Sequence, residues 1–333
     1  MKKIYNLASM ENKEVLILGG LGFIGSNIAH KCVELGAKVT IFDAMIEPFG
    51  FNLANIKTIK GKVSFAKKDM RNFKDLARAV KEKEYIFNCA GQVSHSDSMK
   101  TPFLDIELNV SANMNLMEAC RKYNDSAKIV YAGTRSQIGK AHYLPVDENH
   151  PDFPLDIYGA NKLAAEKYLL IYYNAYGIRG TSIRLNTTFG PRHQMKHSLY
   201  GVLNWFIRLC LENKKITVYG DGTQLREYNY VDDTADAMIL AAQRNKSDGQ
   251  IYLLGATRPI KFVDMVKEVI KMCNCGEYEI VPFPKERKSI EIGDFNVSIK
   301  KINESLGWYP KTSFEDGLKR TVEFYRQNMA DYF

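Results

Sequence analysis

The most restrictive feature of this 333-residue chain is a short apolar segment that runs directly into a glycine-rich turn. Residues 14–18 have the composition of a buried strand, and the segment GGLGFIG at residues 19–25 follows at once. Residues 24–35 then show the apolar spacing of a helix, which Gly36 ends. A strand, a tight glycine turn and a helix in this order predict the first unit of a parallel βα fold.

Short apolar strands and amphipathic helices alternate through the rest of the first half. Further strands are predicted at residues 38–42, 63–66, 85–88, 128–131 and 181–185. The segments between them, such as residues 73–82 and 110–122, have helical apolar spacing. Alternation at this interval predicts an α/β protein with a Rossmann-type, doubly wound parallel sheet.

The pattern changes after Gly190-Pro191. A helix at residues 199–211 and a short strand at 216–219 precede a Gly-Asp-Gly turn, and the tail from Pro259 is helical and rich in loops. Residues 235–244 and 250–254 are expected to return to the main sheet. We therefore predict a nucleotide-binding domain of residues 1–188 plus 235–258. Residues 189–234 plus 259–333 would form a smaller, discontinuous α/β lobe for substrate.

Composition excludes several classes of protein. Hydrophobic residues make up 45% and the net charge is +8, but the lysines are scattered among acids, which predicts a solvated surface and no nucleic-acid partner. No apolar run approaches membrane-spanning length and no signal peptide is recognisable, so we expect a cytoplasmic protein. The six cysteines include no CxxC pair, which predicts reduced thiols and no metal site.

The glycine turn predicts a phosphate site. Glycines allow backbone N–H groups at a helix N-terminus to approach a pyrophosphate, which assigns Gly19, Gly22, Phe23, Ile24 and Gly25 to cofactor binding. Asp43 follows the second strand. Its carboxylate would accept hydrogen bonds from both adenosine ribose hydroxyls and repel a 2′-phosphate, which favours NAD over NADP. The alternative is that Asp43 only caps a backbone turn.

A second motif predicts acid–base chemistry. Tyr158 and Lys162 are four residues apart, so on a helix they share one face. An ammonium group near a phenol favours the phenolate, which can then remove a hydroxyl proton while hydride leaves the same carbon. A YxxxK spacing alone is common on solvated helices. Downstream of a nucleotide-binding turn in the same sheet, it indicates a dehydrogenase-type site.

With further segments, these motifs resemble the NAD-dependent nucleotide-sugar epimerase/dehydratase family of extended short-chain dehydrogenases/reductases. The resemblance runs from about residue 14 to residue 325, and it is closest to the UDP-glucose 4-epimerase type. The additional matching segments are Asp69-Met70, NCAGQ at 88–92, LNV at 108–110, RLNTTFGPR at 184–192, YGDGTQLREY at 219–228 and LGWYP at 306–310.

The resemblance implies a role for each matching residue. Thr134 would hydrogen-bond the reacting sugar oxygen, Tyr158 would be the base, and Lys162 would bind the nicotinamide ribose. Arg226 would pair with the substrate pyrophosphate. The further cofactor contacts implied are Tyr158, Lys162, Asp69, Met70, Ala90, Gly91, Gln92 and Asn109. The further substrate contacts are Ser94, Arg135, Ser136, Thr187, Gln194 and Arg287. Thr187 stands where the family usually has Asn, and Asn186 precedes it.

The resemblance also limits the reaction. Family dehydratases follow the Thr with Asp and Glu, whereas this chain has Arg135 and Ser136. Arginine cannot act as a carboxylic acid and serine is a poor base without a partner, which disfavours a 4,6-dehydratase. The favoured activity is epimerisation of a nucleotide-diphosphate sugar through transient C4 oxidation. The alternatives are other C4 redox chemistry, by a 4-dehydrogenase or an NDP-glucuronate decarboxylase, and a non-catalytic nucleotide-binding protein. The family further implies a homodimer through a four-helix bundle of residues 110–122 and 158–176.

Overall fold

The structure, a computed structural model, describes residues 5–283 and 292–333. Its strands are β1 (Glu14–Leu18), β2 (Lys38–Asp43), β3 (Val63–Lys67), β4 (Tyr85–Asn88), β5 (Lys128–Thr134), β6 (Gly180–Leu185), β7 (Thr187–Phe189), β8 (Lys215–Tyr219), β9 (Leu225–Arg226), β10 (Tyr228–Tyr230), β11 (Gln250–Leu253), β12 (Ile260–Lys261) and β13 (Glu277–Val281). Its helices are α1 (Phe23–Glu34), α2 (Phe73–Ala79), α3 (His95–Lys100), α4 (Pro102–Ile106), α5 (Ala112–Tyr123), α6 (Ile157–Tyr176), α7 (Val202–Leu211), α8 (Val231–Gln243), α9 (Phe262–Cys273), α10 (Lys300–Leu306) and α11 (Phe314–Tyr332).

A parallel sheet forms the centre of the molecule. Within the described residues it contains seven strands in the order β11-β6-β5-β4-β1-β2-β3, and each neighbouring pair is parallel. The strand order reverses direction beside β1, so the carboxyl ends of β1 and β4 border a crevice at one edge of the sheet. This topology confirms the predicted Rossmann-type α/β fold.

Helices cover both faces of this sheet. Val15 and Ile17 of β1 pack into a cluster with α1 and α8, whereas Leu16 and Leu18 pack into the opposite cluster with α5 and α6. Because both faces are buried, the strand is apolar at consecutive positions and does not alternate with polar residues. The uninterrupted apolar segment in the sequence is therefore a direct consequence of the layered architecture.

The two segments expected to return to the sheet do so. β11 pairs with β6, aligning Gln250 with Thr181, and α8 packs against α1. The helix predicted at residues 199–211 begins later, at Val202, since Gly201 has a left-handed backbone that cannot belong to the helix. The helix predicted at residues 110–122 is present as α5, and its first predicted residues belong to a wider, π-helical turn at Glu107–Ser111 that leads into α5.

A third apolar cluster lies outside the main sheet. It joins α7, α9 and α11 with the short strands β7, β8 and β10, through side chains such as Phe206, Val266 and Leu318. Trp308 instead packs with the α1–α8 face of the sheet, and its indole nitrogen donates to the carbonyl of Asp233. The division into two discontinuous domains stays a prediction. Over the described residues, no helix combines the length and the apolar character that crossing a membrane requires.

Candidate active site

The glycine turn has the shape of a phosphate cradle. Gly19 has a φ of +73°, and the Gly22 N–H donates to the Gly19 carbonyl at 3.1 Å. A Cβ on Gly25 would lie 2.3 Å from that same carbonyl oxygen, so only glycine fits there. Helix α1 begins at Phe23 with no side-chain cap on its first N–H groups. These donors fit a pyrophosphate at the helix N-terminus.

Asp43 ends β2 beside this turn. Its carboxylate accepts hydrogen bonds from the backbone N–H groups of Leu21, at 3.0 Å, and Met45, at 2.9 Å. Burial raises the pKa of Asp43, and these two hydrogen bonds oppose that rise. The side chain therefore does fix the local backbone, which was the alternative interpretation. It also lines the cavity beyond the turn, where its remaining lone pairs can accept ribose hydroxyls.

The cavity beside Asp43 has the apolar walls that suit an adenine ring. Asp69 and Met70 line it, as the resemblance implies, and the Asp69 carboxylate is held by the Arg71 guanidinium at 2.7 Å. The further lining residues include Phe42, Ile46, Phe49, Phe51 and Leu108. The glycine turn and this cavity together fit NAD: donors for the phosphates, an acceptor for the ribose and an apolar slot for the base.

A second cavity continues the first across the loop that follows β4. Cys89, Ala90 and Gly91 line both cavities, so the two form one groove along the carboxyl edge of the sheet. Gly91 has a φ of +150°, and an added Cβ would meet the Asn109 Oδ1 at 2.3 Å. The Asn109 amide donates to the carbonyl of Gln92 from the π-helical turn before α5. Asn109 thus fixes the position of the loop that follows β4.

The predicted catalytic residues meet in the second cavity. Thr134 is the last residue of β5, while Tyr158 and Lys162 come from the first turns of α6, and all three line the cavity. The Asp156 side chain accepts from the Gly159 N–H and so caps α6. The i and i+4 spacing brings Tyr158 and Lys162 to the same face, as predicted from the sequence.

Electrostatics at this cavity differ from the simple expectation. Burial raises the pKa of the Tyr158 phenol above its usual value, and the nearby Thr134 hydroxyl opposes that rise. Burial also lowers the pKa of Lys162 to about 8, and its ammonium group lies 4.2 Å from the centre of the Tyr131 ring. Burial therefore opposes the phenolate, and the Lys162 charge is weakened by the same burial.

Two residues that the sequence analysis did not single out stand beside Tyr158. The His95 ring packs edge-on against the Tyr158 ring, with centroids 5.1 Å apart. The Nδ1 atom of His95 lies 2.5 Å from the Asp156 Oδ2. Asp156 had a detectable signal, since an acid directly before a helix is a typical N-cap. His95 had none, because it lies far from Tyr158 in sequence.

The predicted substrate residues differ in their surroundings, and not all of them lie at the second cavity. Ser94 caps α3 by accepting from the Asp97 N–H and is held by Gln92. The Gln194 side chain is engaged within its own loop, by residues 196, 197 and 200. Thr187 begins β7, half-buried, whereas the preceding Asn186 lines the second cavity. Arg287 lies outside the described residues.

The two arginines predicted to contact substrate both influence the pKa of one tyrosine, Tyr228. The Arg135 guanidinium lies 5.5 Å from the Phe295 ring centre, and the Arg226 guanidinium donates to the Leu225 carbonyl at 2.8 Å. Both charges act on the Tyr228 phenol and lower its pKa, against the effect of burial, which raises it. Ser136 follows Arg135 and hydrogen-bonds to Thr134.

The glycine turn is also bonded to the Gly-Pro-Arg turn that follows β7. The Asn27 amide of α1 donates to the Pro191 carbonyl at 3.1 Å, and Arg192 donates back to the Asn27 oxygen at 2.7 Å. The Asn55 amide donates to the carbonyls of both Leu21 and Arg192. Nearby, the Tyr200 hydroxyl donates to the Pro48 carbonyl at 2.6 Å, which holds the loop that walls the adenine cavity.

A Rossmann sheet, a glycine turn and a Thr-Tyr-Lys cavity define a nicotinamide-dependent protein of the short-chain dehydrogenase/reductase type. The sequence pattern of the NAD dependent epimerase/dehydratase family matches residues 15–255. The chain belongs to this family, and its cofactor is NAD, as the glycine turn and Asp43 predicted.

Relatives within the family carry out more than one reaction. A Methanocaldococcus jannaschii protein, provisionally named UDP-glucose 4-epimerase, is 34% identical over 94% of this chain and 99% of its own. Human dTDP-D-glucose 4,6-dehydratase is 27% identical over 96% and 92%. Among solved structures, the complex of Thermus thermophilus UDP-glucose 4-epimerase with NAD is 30% identical, covers 94% and 99%, and superposes with a TM-score of 0.83.

Substitution of Gly25 by Ala tests the cradle. We expect Gly25→Ala to bind NAD at least about 10-fold more weakly, because the added methyl group displaces the turn and its charge-assisted donors. Cofactor content after purification and titration calorimetry measure this. Gly61→Ala is the matched control, since nothing lies within 4 Å of an added Cβ there. Equal NAD affinity in the two variants would contradict the assignment.

Proposed function

We propose that the protein is an NAD-dependent epimerase of nucleotide-diphosphate sugars that acts through transient oxidation at C4. Bound NAD would accept a hydride from C4 and return it to the opposite face of the 4-keto sugar. The observation that carries the proposal is that Thr134, Tyr158 and Lys162 line one cavity continuous with the cofactor cavity. A protein that only bound the nucleotide would not require this arrangement.

Each of the three side chains has a distinct task in this proposal. Tyr158 takes the proton of the C4 hydroxyl as the hydride leaves and returns it at the end of the reaction. Thr134 donates a hydrogen bond to the same sugar oxygen from the end of β5. Lys162 holds the nicotinamide ribose, and its charge favours the Tyr158 phenolate.

The residues after Thr134 favour epimerisation over loss of water. Dehydration of the 4-keto sugar needs an acid and a base beside the neighbouring carbons, and Arg135 and Ser136 supply no carboxylate there. The relative in Methanocaldococcus jannaschii, provisionally named a 4-epimerase, supports the same choice. The dehydratase relatives are less similar, at 27% identity for the human enzyme.

A second candidate rests on the arginine pair. Arg135 and Arg226 both act on Tyr228, whose buried hydroxyl has no hydrogen-bond partner within the described part of the chain. Arg226 would bind the substrate pyrophosphate in either case, since a guanidinium matches its geometry. A carboxylate on the sugar would pair with Arg135, which would make the substrate an NDP-glucuronate. Oxidation at C4 would then lead to decarboxylation.

We also propose that the protein forms a homodimer through α5 and α6. Helix α6 exposes Ile171 and Tyr176 at 53% and 56%, and α5 ends at the exposed Tyr123. Apolar groups on two adjacent helices suit a four-helix interface with a second copy. Light scattering after gel filtration gives the mass, and a monomer at micromolar concentration would contradict this assembly.

Product analysis with a panel of substrates tests the proposed reaction. We expect the purified protein, without added cofactor, to convert at least one UDP-, GDP-, CDP- or dTDP-hexose into its C4 epimer at unchanged mass. Mass spectrometry and NMR identify the product. Loss of water would show a dehydratase, loss of CO2 from an NDP-glucuronate would show the second candidate, and accumulation of ketone would show a dehydrogenase.

A further inference from the structure

A histidine–carboxylate pair lies directly beside the proposed base. His95 is the first residue of α3, and its Nδ1 atom is 2.5 Å from the Oδ2 of Asp156. The Asp156 side chain is only 6% exposed, whereas that of His95 is 40% exposed. One ring nitrogen is therefore fixed by a buried carboxylate. The other lies on the side of Ser136, and the ring remains in contact with solvent.

A row of hydroxyl groups leads from this histidine to Thr134, which lines the same cavity as Tyr158. The His95 Nε2 lies 3.5 Å from the Ser136 Oγ, and the Thr134 hydroxyl donates to that same oxygen at 3.2 Å. Thr134 and Tyr158 both line the second cavity, and the Thr134 hydroxyl lowers the pKa of the Tyr158 phenol against the effect of burial. If Nδ1 carries the proton shared with Asp156, each hydroxyl can donate to the next group in the order Tyr158, Thr134, Ser136, His95.

We propose that His95, held by Asp156, accepts and returns the Tyr158 proton through Thr134 and Ser136, and so sets the ionisation of the base. The inference rests on the proposed function, because it assigns Tyr158 its role there. His95 is a positioning residue for protons and does not touch the sugar. Ser136, which looked like a poor base without a partner, has its partner in His95.

The proton transfer conserves total charge, and it counteracts the effect of burial on the Tyr158 phenolate. One O–H bond breaks at Tyr158 and one N–H bond forms at His95, so phenol and imidazole become phenolate and imidazolium with no change in total charge. Burial disfavours the phenolate, and Lys162 is itself weakened as a cation by burial. A histidine that takes the proton, with its cation stabilised by Asp156, offsets that cost.

The surrounding charges are compatible with this transfer. Asp97 lies on α3 itself, Asp105 acts on Tyr158 from α4, and Arg135 acts on both Asp156 and Tyr158 from the turn after β5. Arg135 disfavours an imidazolium, and the carboxylates of Asp156 and Asp105 both disfavour a phenolate at Tyr158. The Asp156 carboxylate holds the His95 Nδ1 directly, at 2.5 Å, so an acceptor faces one ring nitrogen while the other faces Ser136.

The pH dependence of sugar oxidation tests the relay. In wild type, the rate falls on the acid side of the pH profile when the His95–Tyr158 pair gains an extra proton. This acid limb therefore follows the pair as a whole. Without His95 the limb follows Tyr158 alone, whose pKa is raised by burial. We therefore expect His95→Gln to lower the rate about 100-fold at neutral pH and to approach wild type as the pH rises. Ser136→Ala should change the rate and the pH profile in the same way. The double variant, His95→Gln with Ser136→Ala, should have a rate no lower than either single variant.

Matched variants separate the relay from a purely structural effect. His142→Gln removes an exposed histidine outside the cavity and should leave the profile unchanged. Asp156→Asn keeps an N-cap residue for α6 and, because it removes the carboxylate that holds the His95 Nδ1, should lower the rate at neutral pH as His95→Gln does. Equal loss of rate at every pH in the His95 variant, or an unshifted limb, would overturn the relay. NAD content and thermal unfolding confirm that each variant is folded and loaded.

A measurement without substrate distinguishes failure of the relay from failure of the proposed function. We expect a low-field imidazole N–H resonance in the proton NMR spectrum of wild type, absent from both His95→Gln and Asp156→Asn. Its absence from wild type would overturn the His95–Asp156 pairing. If the resonance is present but no nucleotide sugar reduces the bound cofactor, the epimerase proposal fails and the relay fails with it. If a nucleotide sugar reduces the bound cofactor but the acid limb of the His95→Gln variant is not shifted, the relay is wrong and the proposed function stands.

Discussion

Tyr158→Phe is expected to lower turnover about 10²- to 10⁴-fold while NAD stays bound. The substitution removes only the phenolic oxygen, so the sugar loses the group that takes its C4 hydroxyl proton. The ring remains in its pocket against His95 and Lys162 stays available for the cofactor. Rate measurements on the preferred nucleotide sugar and the cofactor content of the purified variant measure the two effects separately.

Tyr168→Phe is the matched control, because Tyr168 lies on the same helix and does not line the cavity. It should leave the rate and the cofactor content unchanged. A Tyr158→Phe protein that turned over at a near-normal rate would show that another group removes the proton. Loss of NAD along with activity would instead show that the phenol is needed for cofactor binding.

Glu166→Ala is expected to reduce the free energy of unfolding by about 3–5 kcal/mol. Glu166 of α6 is fully buried and accepts hydrogen bonds from Arg184 at 2.6 Å and from Ser182 at 2.6 Å, both on β6. Removing it takes away three buried hydrogen bonds and leaves Asp152 as the remaining counter-charge of the buried Arg184 guanidinium. Because this contact fixes the helix that carries Tyr158 and Lys162, turnover should fall as well. Urea unfolding followed by circular dichroism measures the loss.

Lys167→Ala provides the comparison for that prediction. Lys167 is adjacent on α6 and pairs with Asp152 at 3.2 Å, but its side chain is 49% exposed. An exposed pair contributes at most about 1 kcal/mol, so this variant should unfold almost as wild type does. Equal stability of the two variants would contradict a structural role for the buried pair.

The sheet could be predicted from the sequence because its signals are local. Residues 14–18 are apolar at consecutive positions. In the turn that follows, Gly25 is required because an added Cβ would lie 2.3 Å from the Gly19 carbonyl oxygen. Tyr158 and Lys162 share a helix face, which spacing alone determines. Each of these inferences depends on residues close together in the chain, and the observed sheet order agrees with them.

The surroundings of Tyr158 could not be predicted in the same way. His95 and Asp156 lie 61 residues apart, and they meet because α3 packs against α6. The raised pKa of Tyr158 comes from burial, which no local pattern reports. The Gln194 amide is engaged within its own loop, which no sequence pattern reported either, and its contact with substrate stays a prediction.

The hydrogen bonds of Asn27 and Asn55 connect the cofactor-binding turn to a part of the chain far away in sequence. They bind the phosphate turn to the chain around Pro191 and Arg192, which leads into the substrate side of the groove. The wall of the adenine cavity is likewise held by Tyr200. Hydrogen bonds thus join the cofactor-binding turn and the adenine cavity to residues 191–200, which come from a distant part of the chain. In the proposed epimerisation, a dinucleotide held in this way would stay bound and be restored at every cycle, and only the sugar would exchange.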